Sequence, residues 1–130
     1  LLKSIDYTAW PLFEYSKAIK KTFGKYPRYI IGLSSDGPDS YCANYDFVAG
    51  CKAMLETLVR YMNVHLQNEN VNVNVVRAGY VLTDSLKATF GEGFENFAQR
   101  SGMTPYEIKP EEVADMTLAL CSGLLDGVSG

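Results

Sequence analysis

The chain has 130 residues, of which 47% are hydrophobic and 21% charged. That is the profile of one ordinary soluble domain, and it excludes a disordered or collagen-like chain. Twelve Lys plus Arg against fifteen Asp plus Glu leave a net charge of -3, with no basic cluster beyond Lys20-Lys21, which argues against nucleic-acid or anionic-membrane binding.

In chain order, residues 5–23 carry Trp10, Phe13 and Ile19 on one side and lysines opposite, which predicts an amphipathic helix with Pro11 near its first turn. Gly24 is its stop. Residues 28–34 are a short apolar, β-branched run that reads as a buried strand. Residues 35–40 have loop chemistry throughout. Phe47, Val48, Cys51, Leu55, Leu58, Val59, Met62 and Leu66 then recur at helical spacing, predicting a helix over residues 44–66 capped by Asn44 or Asp46. Residues 67–70 are a polar turn, and residues 71–78 alternate with period two before turning apolar, a second strand. One or two short helices are expected over residues 84–102 and a turn over 104–106. Pro110-Glu111-Glu112 opens a last helix whose buried face is Val113, Met116, Thr117, Leu120, Cys121 and Leu124.

Strand, long helix and strand in succession imply parallel strands in an α/β layer fold. The expected class is part of a doubly wound, Rossmann-like parallel sheet that lacks its N-terminal strands and glycine-rich loop. Gly91-Glu92-Gly93-Phe94-Glu95-Asn96 has no third glycine and follows no strand, so it is not that loop. The chain opens inside a helical pattern without an initiator methionine, so it is expected to be one half of a larger domain, with the N-terminal half in the same or a separate chain. No segment reads as a signal peptide or reaches the roughly 18 apolar residues of a membrane span. Cys42, Cys51 and Cys121 are an odd, scattered set, which fits reduced thiols in the cytoplasm or another reducing compartment such as a stroma or matrix. With His65 as the single histidine, no metal site is expected.

Tyr45 and Lys52 carry the chemistry. Seven residues advance a helix by about 700°, within roughly 20° of two turns, so both side chains leave one face. An ammonium near a phenol favours the phenolate and makes the hydroxyl a better proton donor to a developing oxyanion. Ser34 and Gly79 end the two strands, where parallel sheets bind ligands.

Ser34, Asn44-Tyr45, Lys52-Ala53, Leu55-Glu56, Val73-Asn74, Ala78-Gly79 and Thr83 together resemble the C-terminal half of a short-chain dehydrogenase/reductase. The six residues between Tyr45 and Lys52, and the phrase Asn44-Tyr45-Asp46, resemble its enoyl-acyl-carrier-protein reductase branch in particular. The resemblance implies NAD- or NADP-dependent reduction of an enoyl thioester, free or on acyl carrier protein, by a homodimer or homotetramer. It implies Tyr45, Lys52 and Ser34 as catalytic residues, with Tyr45 stabilising the enolate. It implies Lys52, Gly79, Val81 and Thr83 for the cofactor, Lys52 on the nicotinamide ribose. Ser35, Tyr41 and Tyr80 would border the substrate. Two positions depart from the family pattern: Ser35 stands where a second tyrosine is common, and Tyr80 where proline is common.

Simpler roles stay open for several of these residues. Ser34 also suits a strand-end hydrogen bond, Thr83 suits an N-cap, and Cys42 suits a passive thiol. Residues 94–97 suit either a substrate-covering lid or an ordinary amphipathic helix. A carbonyl reductase or alcohol dehydrogenase of the same family, and a non-catalytic assembly or binding module, are the alternative functions.

Overall fold

The computed structural model describes residues 2–42, 44–81, 83, 84, 88 and 108–130. Apart from residues 84 and 88, the helices expected over 84–102, the turn at 104–106 and the segment 94–97 lie outside the described residues.

Two helices open the chain, α1 (Leu2–Thr8) and α2 (Trp10–Phe23), where a single helix over 5–23 is expected from the pattern. Pro11 is the reason. It has no N–H to give to the preceding turn, so the helical hydrogen-bond ladder is interrupted there. It therefore begins a helix, and the break falls at Ala9, which is fully buried. Gly24 ends α2 in the left-handed region, φ 75°, with its N–H on the Lys20 carbonyl.

Strand β1 (Tyr29–Ser35) leads to the 20-residue helix α3 (Asp46–His65), a 3₁₀ turn (Gln67–Glu69) and strand β2 (Asn72–Ala78). The strands start one residue later than the sequence pattern suggests. Neither Asn44 nor Asp46 caps α3: Tyr45 occupies the cap position without a side-chain cap, and Asn44 takes a left-handed backbone. Helix α4 (Pro110–Cys121) follows, with Glu111 and Glu112 in its first turn.

The strands are parallel neighbours, with Ile30 opposite Val73, Gly32 opposite Val75 and Ser34 opposite Arg77. These pairs share the face covered by α3. Ile30, Val59, Met62, Leu66, Val71 and Val73 form its apolar core, with Leu12 and Phe13 of α2 packed against it.

The opposite face meets α4 and the C-terminal residues. Leu120 is buried there, but Met116 is 52% exposed and Leu124 89%, so the expected buried face of this helix holds only in part. Asn72 and Asn74, which alternate with valines, are both buried. Their side-chain amides donate to the carbonyls of Asp126 (2.9 Å) and Val128 (3.0 Å), and the Gly130 N–H donates to the Val73 carbonyl. The asparagines thus fasten the C-terminal residues along β2. Among the described residues, no helix is long and apolar enough to cross a membrane.

Candidate active site

The carboxyl ends of β1 and β2 and the first turns of α3 surround a cavity of about 230 Å³. In parallel α/β sheets this is the edge where ligands bind, because connections at the strand ends leave a crevice there. Ser34 and Ser35 reach it from β1, Tyr45 and Lys52 from α3, and Gly79, Tyr80, Val81 and Thr83 from the segment after β2. Residues as far apart in sequence as Ser34 and Thr83, 49 positions, are brought together because the two strands run parallel and in register. Tyr41, the remaining expected site residue, is 92% exposed and is not among the described residues lining the cavity.

Tyr45 sits at the mouth of α3, and its hydroxyl donates to Ser35 Oγ at 3.3 Å. That is long for an O–H···O bond, so the phenol is held loosely and can turn to a better acceptor. The ring is fixed more firmly than the hydroxyl. It lies so close to the backbone of Gly37 that a Cβ there would come within 2.8 Å of Tyr45 Cε1 and 3.1 Å of Ala49 Cβ. Only glycine leaves room for the phenol at this place.

Lys52 projects from the same helix face two turns further in. Its Nζ donates to the Leu33 carbonyl at 2.6 Å. Burial pushes the ammonium below its ordinary 10.5. A lysine has three N–H donors, so the carbonyl orients the head group and leaves donors for a ligand.

Ser34 lines the cavity, but its hydroxyl turns inward and donates to Glu56 Oε1 at 2.6 Å. The Glu56 side chain is only 7% exposed. Arg77 meets it with a fork, Nε to Oε1 at 2.8 Å and Nη2 to Oε2 at 2.7 Å. A buried carboxylate needs such compensation. Arg77 first, and Ser34 after it, hold Glu56 below the usual carboxylate range against the opposing effect of burial. Nη1 of Arg77 also pairs with Asp39 in the loop after β1.

Tyr80 is the phenol on the far wall. Burial pushes it above its ordinary 10.0, and the nearby Cys42, Asp36 and Tyr45 add to the shift. Burial raises the Cys42 thiol as well.

Gly37, Asp39, Glu56 and Arg77 escape the reading by sequence. A signal for two of them was present. Glu56 is a carboxylate beside Leu55, Leu58 and Val59 of the long helix, and Arg77 is a cation in a valine-rich strand. Either one calls for a buried partner.

A family model described as enoyl-(acyl carrier protein) reductase matches residues 1–130. The chain belongs to this family. The NADH-dependent enoyl-[acyl-carrier-protein] reductase FabI of Escherichia coli is 34% identical over 104 residues, covering 78% of this chain and 39% of that protein. The 7alpha-hydroxysteroid dehydrogenase of Escherichia coli is 30% identical over 101 residues, 78% of this chain and 40% of that protein. The crystal structure of the FabI–NADH complex from Alistipes finegoldii superposes with a TM-score of 0.81 at 24% identity, covering 98% of this chain and 46% of that one. The reductase-family chain therefore has a Rossmann-like α/β fold and spans about half the length, or less, of these relatives. Its two parallel strands are part of the doubly wound sheet expected from the order of elements.

Proposed function

We propose that the protein containing this chain is a nicotinamide-nucleotide-dependent reductase of enoyl thioesters, with Tyr45 and Lys52 as its central pair. The observation that carries this reading is their common placement, two turns apart on α3, in a cavity at the ends of parallel strands in a chain of the enoyl-(acyl carrier protein) reductase family.

The residues fit the nicotinamide and ribose end of such a nucleotide. Lys52 offers donors for ribose hydroxyls, Thr83 a hydroxyl at the rim, and Gly79 and Val81 a backbone without large side chains. At about 230 Å³ the cavity is below the roughly 300 Å³ at which small-molecule sites begin, as suits one end of a dinucleotide and a small reacting group. The FabI relatives are named as NADH enzymes, which favours NADH as the first donor to test.

When bound, the nucleotide supplies hydride to the β-carbon of the unsaturated thioester. The protein's own residues manage the charge that results. The Tyr45 hydroxyl turns from its long bond with Ser35 to the thioester oxygen, where it donates to the developing enolate. Ser35 accepts or donates beside it, in the place of a second phenol. Lys52, oriented by the Leu33 carbonyl, keeps positive charge near that oxygen and holds the ribose. Ser34 acts from behind, as an anchor for Glu56 rather than as a partner of Tyr45. Tyr80 and Ser35 border the substrate, and the exposed Tyr41 belongs to its outer approach.

The polar wall of Ser35, Asp36, Ser40 and Tyr80, together with the similarity to 7alpha-hydroxysteroid dehydrogenase, supports a second reading, reduction of a ketone by the same pair. Acyl carrier protein as thioester carrier, a reducing compartment, and a homodimer or homotetramer complete the proposal. The exposed Tyr15, Phe47, Tyr61 and Val64 on α2 and α3 are the apolar surface that supports the oligomer.

The test uses the complete protein. Nucleotide oxidation is followed with a short enoyl thioester and, in parallel, with cyclic ketones. Tyr45→Phe removes one hydroxyl and should lower kcat by about 10²-fold or more without loss of fold. Turnover near the wild-type level in that variant would remove Tyr45 from the mechanism, and faster turnover of ketones would favour the second reading.

A further inference from the structure

The geometry points to Arg77 and Asp39 as positioning residues that clamp the loop of residues 36–40 over the substrate side of the cavity. This rests on the reductase reading for its kinetic arm only.

Arg77 lies on β2, and its guanidinium serves two carboxylates at once. Nε and Nη2 are taken by the buried Glu56, and Nη1 by Asp39. The first pairing neutralises a charge that cannot reach water. The second has no such necessity, since the Asp39 side chain is 66% exposed. A solvated ion pair adds little to stability, so its effect is chiefly geometric. It joins the loop to a strand 38 residues away.

The loop has its own tight turn. The N–H groups of Asp39 and Ser40 both donate to the Asp36 carbonyl at 3.0 Å. Asp36, Gly37 and Ser40 of this turn line the cavity, and Gly37 forms the surface on which the Tyr45 ring rests. Holding Asp39 therefore holds the wall that meets the substrate and the support of the proton donor. Lys52 and Thr83, assigned above to the nucleotide, hang on α3 and the segment after β2, and Lys52 is oriented by the Leu33 carbonyl rather than by this turn. Only arginine can make both contacts, because its fork is rigid and five-donored whereas a lysine is a point charge.

The inference separates two kinetic constants. In the complete protein, Asp39→Ala should raise KM for the thioester about three- to five-fold, the size of a lost exposed ion pair. The KM for the nicotinamide nucleotide should stay the same, and the melting midpoint should stay within about 2 °C. Asp39→Glu keeps the carboxylate and should recover most of the loss. An unchanged thioester KM in Asp39→Ala would overturn the inference. So would a parallel rise in both KM values with a fall in melting midpoint, the mark of a merely structural contact. A second arm needs no substrate. Protection of the amides at positions 37, 39 and 40 from hydrogen exchange, relative to their intrinsic rates, should fall in Asp39→Ala, and unchanged protection there overturns the clamp whatever the kinetics. If wild-type protein reduces no thioester, the reductase reading fails and the exchange arm still decides the clamp.

Discussion

The two ends of the β1–α3–β2 unit are built from different materials. At the end where the strands begin, Ile30, Val71 and Val73 meet Val59, Met62 and Leu66 in a wholly apolar contact. At the end where they finish, the same sheet and helix meet through Ser34, Glu56 and Arg77, with Asp39 added from the loop. Apolar packing is strong but tolerant of small displacements, because it has no preferred direction. A buried ion pair contributes less net stability, but its hydrogen bonds define angles and partners. The division of labour follows: one end holds the fold together, and the other holds Tyr45, Lys52 and the cavity wall in place.

Substitutions at the two ends should therefore fail differently. The largest loss of stability is expected in the apolar end. Met62→Ala should cost about 2–5 kcal/mol in urea unfolding of the complete protein, from lost burial and the cavity left behind. Its turnover per folded molecule should be near normal. A large fall in turnover without a loss of stability would break the comparison.

Gly37→Ala probes the other end. The new methyl must displace the Tyr45 ring, which lies within 2.8 Å of its position, or move the loop. Turnover should fall about ten-fold or more, as misplacement of a reacting group predicts, with only a small change in unfolding. Equal damage to both would show that the loop belongs to the stability core.

The polar end should also be the acid-sensitive one. Glu56 is held below its ordinary 4.5 chiefly by the Arg77 fork. The stabilisation is fully present above that unfolded value and is lost as pH falls through the depressed folded value. Glu56→Gln cannot titrate, so unfolding measured from pH 6 to pH 3 should show a shallower acid loss than wild type. An identical acid limb would assign the loss to other carboxylates. The smallest effect is expected at the C-terminal residues. Asn72→Ala removes one amide donor to the Asp126 carbonyl and should cost about 0.5–1.5 kcal/mol.

The parts of this protein that depend on near neighbours in sequence could be read without coordinates. The long helix of residues 46–65, the two strands, Gly24 as a helix stop and Pro110 as a helix start all follow from periodicity or from the backbone limits of one residue. The common face of Tyr45 and Lys52 follows from helix geometry alone, and the family from the residues around them. Pro11 is plain in the sequence but its effect is not, because one proline can either open a helix or divide a longer one. What depends on register across the chain was not legible. The Glu56–Arg77 fork spans 21 residues, Arg77–Asp39 spans 38, and the asparagine contacts to the C-terminal residues span 54. Nothing local marks Asn72 and Asn74 as buried in a pattern of alternating valines, and Ser34 reads as a catalytic residue or a strand-end hydrogen bond. Only the pairing of Ser34 with Arg77 across the parallel strands, beneath Glu56, turns its hydroxyl inward and leaves Ser35 to face the phenol. A side chain's type is written in the sequence, whereas the partner that satisfies it is chosen by which distant strand folding brings alongside.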